Sequence, residues 1–191
     1  MGEHVAGVRD AGGGYSPVTP LRIGGAVALV ALFGFSIAVF GELPSRIPQH
    51  FDASGTVTRE VGTSAVSWFA LPTVAALTWA LIMWLGSRMP SNPELFNFPQ
   101  KERFLTLPAS YRAPVLREMQ WMLDGTGLLV VLIMGAVQLM VWQTAVVGSA
   151  GVLAQAPLLG VVAILLLTGV SLVRLGRAVA DAERRLHDAR G

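Results

Sequence analysis

The sequence has no cysteine, a single lysine and little charge of either sign. Without cysteine there are no disulfides, no thiolate metal sites and no cysteine nucleophile, and the redox compartment stays open. Charged residues make up 14% of the 191, against about 25% in a soluble domain, too few to coat a water-exposed globule. The net charge is only +2, and no dense basic face marks a nucleic-acid binder.

What the chain has instead is apolar length. A bilayer crossing needs about 20 predominantly apolar residues. Four stretches qualify, at 23–40, 64–85, 126–147 and 152–173, and none contains Asp, Glu, Lys, Arg or His. The first run exceeds the roughly 7–15 residues of a signal-peptide core, so it reads as an uncleaved span. Residues 1–21 read as a flexible tail and 176–191 as a C-terminal tail that continues span four as a charged, frayed helix, bounding a membrane domain at 22–175.

Orientation follows from the cations. With four crossings the termini share a side with the segment between spans two and three. That side carries twelve Lys and Arg, and the other only Arg46 and Arg59. The positive-inside rule then predicts both termini in the cytoplasm and the loop after span one outside. Trp68 and Trp142 fall near the outer span ends and Trp84 and Trp121 near the inner ones, as an interfacial belt would place them, while Trp79 lies deeper and is expected to pack between helices.

Within the spans, Pro72 removes a backbone donor, so neighbours must satisfy the carbonyl it frees. Gln138 and Gln143 are expected to hydrogen-bond between helices, and Gly34 and Ala38 have the small-xxx-small spacing of a close approach. Ser110 is the expected N-cap of an interfacial helix running into span three, with Asp124 capping the span itself. GSAG at 148–151 reads as a tight turn joining spans three and four.

The most distinctive stretch is Leu43–Gly55, LPSRIPQHFDASG. Pro44 and Pro48 fix two backbone angles, and Pro48 biases Ile47 toward an extended conformation. Asp52 and Gly55 occupy the first and fourth positions of a type I turn, and Thr56-Val57-Thr58 is β-prone again. A short hairpin capping the bundle is predicted, anchored by Ile47, Phe51 and Val57.

Here the chain resembles a known family. LPSRIPQHFDASG is similar to the signature L-P-x-x-I-P-x-H-[FW]-[ND]-x-x-G of the bacterial domain of unknown function 1648. That domain also occurs in immunity proteins protecting Bacillus-type cells from a sporulation-delaying peptide toxin. Asn97–Leu105, NFPQKERFL, is similar to a second element of relatives, N-x-P-x-K-[ED]-x-[FYW]-L. Relatives often follow the turn with an acidic residue, an aromatic and a lysine, where this chain has TVTREVG, and the longer immunity proteins carry further spans. The resemblance implies a bacterial cytoplasmic-membrane protein, with toxin immunity or associated signalling among its implied roles.

Candidate binding residues are therefore Pro44, Ile47, Pro48, His50, Phe51, Asp52 and Gly55, with Asn97, Pro99, Lys101 and Glu102 from the second element. His50 and Asp52 would share a strand face, but zinc takes three or four protein ligands and only Glu42 and Glu60 are near in sequence on that side. A hydrogen-bonding role for His50 and a turn-forming one for Asp52 are the favoured readings, and no metal or other cofactor is expected. Lys101, Glu102 and Arg103 read as solvated interfacial charges, ahead of contacts to a cytoplasmic partner or anionic lipid. No ionisable group lies inside a span, and no H-E-x-x-H, G-x-S-x-G or P-loop occurs, which argues against an enzyme.

The resulting expectation is an all-α membrane protein, a four-transmembrane-helix bundle with a short extracytoplasmic β-hairpin between helices 1 and 2. It would be non-enzymatic and sense or bind a ligand at its outer face. Its partners would be the lipid bilayer and a peptide or another membrane protein. The alternatives are a small permease and an accessory subunit of a membrane complex.

Overall fold

The computed structural model describes residues 18–52 and 54–190, so the flexible-tail reading of 1–17 lies outside it. In chain order the elements are α1 (Pro20–Val39), β1 (Arg46–Phe51), β2 (Val57–Gly62), α2 (Ala65–Arg88), α3 (Lys101–Thr106), α4 (Ala109–Val147) and α5 (Ala156–Asp188). Short 3-10 turns lie after α1 at Phe40–Glu42, between α2 and α3 at Pro93–Leu95, and before α5 at Gly151–Gln155. Helices α1, α2, α4 and α5 are each long and apolar enough to cross a membrane. β1 and β2 pair antiparallel between the first two of them.

Local chemistry accounts for the boundaries. Thr19 caps α1 by accepting from Arg22 N–H at 3.2 Å, with Pro20 in the first position, where its missing donor costs nothing. Ser64 and Ser67 form a reciprocal capping box at the start of α2. Gly148 ends α4 with φ 85°, a left-handed cap suited to glycine.

Helix α4 is the axis of the bundle, with α1, α2 and α5 all packed on it. At 1.5 Å per residue its 39 residues span about 58 Å and the 33 of α5 about 50 Å, well beyond the ~30 Å hydrocarbon thickness. Their excess lies at the end away from the hairpin and forms a second apolar core there. Phe98, Phe104 and Leu107 pack with Val115 and Met119 of α4 and Leu175 and Val179 of α5. At the hairpin end Ile47, Trp68 and Val141 form the other core. Between them, aliphatic side chains such as Val30, Leu77, Leu165 and Leu166 face outward, as lipid-facing surfaces do.

Several expectations are corrected. α4 begins at Ala109 with Pro108 as its N-cap, so Ser110 is not the cap. The helix is continuous through Asp124, which lies fifteen residues inside it and therefore cannot cap it. α5 continues span four as a helix, as expected, but it is ordered to Asp188 rather than frayed and buries Leu175, Val179 and Ala182. Trp84 and Trp121 are exposed as a belt requires, whereas Trp68 is buried and Trp142 stacks edge-on against Phe35 at 5.7 Å. Those two support the hairpin from within.

Close helix approach occurs at Gly25 rather than Gly34. A Cβ on Gly25 would lie 2.4 Å from Trp79 Nε1, so the indole fills the space that glycine leaves, as expected of a deep tryptophan. A Cβ on Gly34 would meet nothing within 4 Å, and both Gly34 and Ala38 are exposed. Gly25→Ala is expected to cost about 1–3 kcal/mol through overpacking. Gly34→Ala should be silent, and the melting temperatures of the purified chains provide the comparison.

Candidate functional site

The hairpin closes through Gly55 N–H to Asp52 O at 3.0 Å and Asp52 N–H to Thr56 O at 2.9 Å. One carboxylate oxygen of Asp52 accepts from Ser54 N–H at 2.9 Å, the Ser54 hydroxyl at 2.6 Å and Thr56 N–H at 2.9 Å. The Ser54 hydroxyl and then the Thr56 N–H hold this carboxyl below the usual value of 3.8. A lowered pKa stabilises the turn above 3.8 and loses that contribution as pH falls through the lowered value. The Ser54 and Thr56 amide resonances are therefore expected to stay fixed from pH 7 to 5 and to move only in stronger acid. Asp52→Asn should abolish that transition.

Below the turn, the strands dock on the helices. Ile47 is 2% exposed and sits on Trp68, with Phe51 and Val61 at the edge of the same cluster. Val57 is not in that cluster; Val61 takes the anchoring place, because the irregular register after Pro48 shifts which β2 side chains turn inward. Trp68 Nε1 donates to Ser36 O of α1 at 2.8 Å, and Trp68 O accepts from Gln138 Nε2 of α4 at 3.2 Å. That carbonyl is the one Pro72, four residues on, leaves without a helical donor. The requirement read from Pro72 and the interhelical role read from Gln138 meet in one bond. Gln143 instead lies against Gly151 in the α4–α5 turn.

Gly55, with φ 83°, rests on Ala154, where a Cβ would come within 2.6 Å of the alanine Cβ. Beside this contact lies an open hollow of about 430 Å³ between the hairpin tip and the α4–α5 turn. Its walls include Ser54, Thr56, Val57, Thr144, Ser149 and Ala154, and no charged side chain among the described residues. Thr144 is 8% exposed, and its hydroxyl is buried without a hydrogen-bond partner. A buried hydroxyl without a partner normally costs stability.

The other residues singled out from sequence lie apart from this cavity. Pro44 O accepts from the Thr63 hydroxyl, and Pro48 is buried in the strand. His50 is exposed opposite Arg59, so the hydrogen-bonding role expected of it is not observed. Glu60 pairs with Arg46 at 3.3 Å. Among the described residues no three His, Asp or Glu side chains converge as a metal would require. In the second element Asn97, Pro99 and Glu102 are exposed and Lys101 Nζ donates to Glu94 O. Arg103 pairs with Glu183 of α5, so it is not a free solvated charge. Phe98 and Phe104 meet edge-on at 5.3 Å, tying this element into the core opposite the hairpin.

Sequence reasoning missed Thr144, Ser149 and Ala154. The available signal was weak: the hairpin turn and the GSAG turn fall on the same side of the bilayer, both rich in small and hydroxyl residues. It also missed a buried ion pair near the other end. Asp124, fully buried, accepts from Arg22 at 3.1 and 3.2 Å, from the Thr19 hydroxyl at 2.6 Å and from Gln120 Nε2 at 2.7 Å. This cluster joins the start of α1 to α4 beside Gly86 of α2.

The helices and hairpin thus define a multi-pass helical membrane protein. Residues 27–76 match the model of the domain of unknown function DUF1648, a stretch that takes in most of α1, the hairpin and the first half of α2. No curated protein and no solved structure matches the chain.

Proposed function

We propose that this is a non-enzymatic membrane protein that binds an uncharged, hydrogen-bonding ligand at its outer face. The observation that carries the reading is the 430 Å³ hollow at the hairpin tip, lined by Ser54, Thr56, Thr144 and Ser149. Cavities of about 300–1,000 Å³ hold small ligands, and hydroxyl walls without charge suit peptide backbone or another neutral polar group. The likeness of the hairpin to that of toxin-immunity proteins supports a peptide as the ligand. The charge asymmetry supports both termini in the cytoplasm.

Ser149 is exposed at the mouth of the cavity, so Ser149→Trp fills it without disturbing a core. Mass spectrometry of material co-purifying with the wild-type chain should find a peptide or small molecule that Ser149→Trp loses and His50→Ala keeps. A deletion strain should be more sensitive to peptide toxins than its parent. Equal recovery from all three proteins would defeat the cavity as the site, and unchanged sensitivity would defeat the immunity role. Since the chain lacks cysteine, Ser54→Cys and Ser110→Cys give single labels, and position 54 alone should react from outside.

A further inference from the structure

We infer that the cleft between the first third of α4 and the last third of α5 binds the phosphate-bearing headgroup of an anionic membrane lipid. The cleft measures about 290 Å³ and is lined by Ser110, Tyr111, Arg117, Glu118, Asp181 and Arg185. Its two acids are already engaged: Glu118 by Arg174 at 2.9 Å and Asp181 by Arg184. Arg117 and Arg185 make no ion pair among the described residues, so the uncommitted charge of the cleft is positive. Two guanidinium forks beside the hydroxyls of Ser110 and Tyr111 match a phosphate, whose oxygens accept paired N–H donors.

Depth selects a lipid as the source of that phosphate. Trp84 and Trp121 are 54% and 38% exposed, the belt position at a bilayer edge. Arg117 precedes Trp121 by one helical turn, about 6 Å along α4. The headgroup layer is about 5–8 Å thick on each side. Arg117 therefore stands where headgroups stand and Arg185 joins it from farther out along α5, while the spanning half of α5 below them presents Leu165, Leu166 and Val170 to acyl chains.

Native mass spectrometry of the full chain released from vesicles of equal phosphatidylcholine and phosphatidylglycerol tests this. Wild type is expected to retain phosphatidylglycerol selectively. Each arginine near an anionic surface is worth about fivefold, so Arg117→Gln/Arg185→Gln should lower retention by more than tenfold. Both side chains are exposed and the double variant is expected to fold. Arg177→Gln/Arg190→Gln removes equal charge outside the cleft, only Arg177 of it close to the surface, and should lower retention by no more than about fivefold. Equal retention of the two lipids by wild type, or equal loss in both double variants, would overturn the site. Displacement of the lipid by an equal concentration of glycerol 3-phosphate would overturn the lipid assignment in favour of a soluble phosphate.

Discussion

Arg22→Leu is expected to destabilise the folded chain by about 3–5 kcal/mol, the range for removing one partner of a buried ion pair. The substitution leaves the Asp124 carboxylate at 0% exposure with only the Thr19 hydroxyl and the Gln120 amide for company. Asp124→Leu should cost less. The Arg22 side chain is already 17% exposed, and a long arginine freed of its partner can reach toward the headgroups. Arg22→Leu/Asp124→Leu should recover most of the loss, because a well-packed apolar pair often replaces a buried ion pair without penalty. Thermal unfolding in one detergent orders the three variants. If the double variant were as unstable as Arg22→Leu, the damage would come from lost packing and not from a stranded charge.

Trp68→Ala should cost a similar amount, about 3–5 kcal/mol, since a fully buried indole is deleted from beneath the hairpin. It removes the floor of Ile47 and the Nε1 bond to Ser36 O at 2.8 Å together. Trp68→Phe separates these effects: it keeps most of the volume and should lose only the hydrogen bond, about 1–3 kcal/mol with the Ser36 carbonyl left unpaired. A sharper test concerns the other side of Trp68. Gln138→Leu strands the Trp68 carbonyl, but in a Pro72→Ala background the restored N–H can take it. The Gln138→Leu penalty is therefore expected to shrink by about 1–2 kcal/mol when alanine replaces Pro72. Additive penalties would mean that Gln138 does not serve that carbonyl.

These two clusters also show where linear pattern stops being informative. The spans were legible because lipid leaves no alternative to long apolar helices, and the hairpin because Pro48, Asp52 and Gly55 restrict the backbone locally. Pro72 and Gln138 each announced a need, yet only the fold pairs them. Arg22 and Asp124 sat at the margins of the expected spans, where a charge ordinarily reads as a solvated flank. Their pairing depends on α4 starting at Ala109, seventeen residues before its apolar run, and an amphipathic helix fused to a span looks like two elements. The cavity was less legible still. Thr144 resembles any span residue until the hairpin tip is brought over it, and His50, chemically more conspicuous, faces away from it.

The Arg22–Asp124 bond has a temporal side as well. Arg22 leaves the ribosome 102 residues ahead of its carboxylate. At about 5–20 residues per second, roughly 5–20 s pass between their syntheses. During that interval the first span holds a cation at the bilayer edge with nothing native to bind, and its final seat exists only once α4 has been inserted. Crosslinking from α1 in arrested chains is expected to catch lipid or insertion machinery before residue 124 is made, and α4 afterwards. The bundle would then close in the order its charges become available.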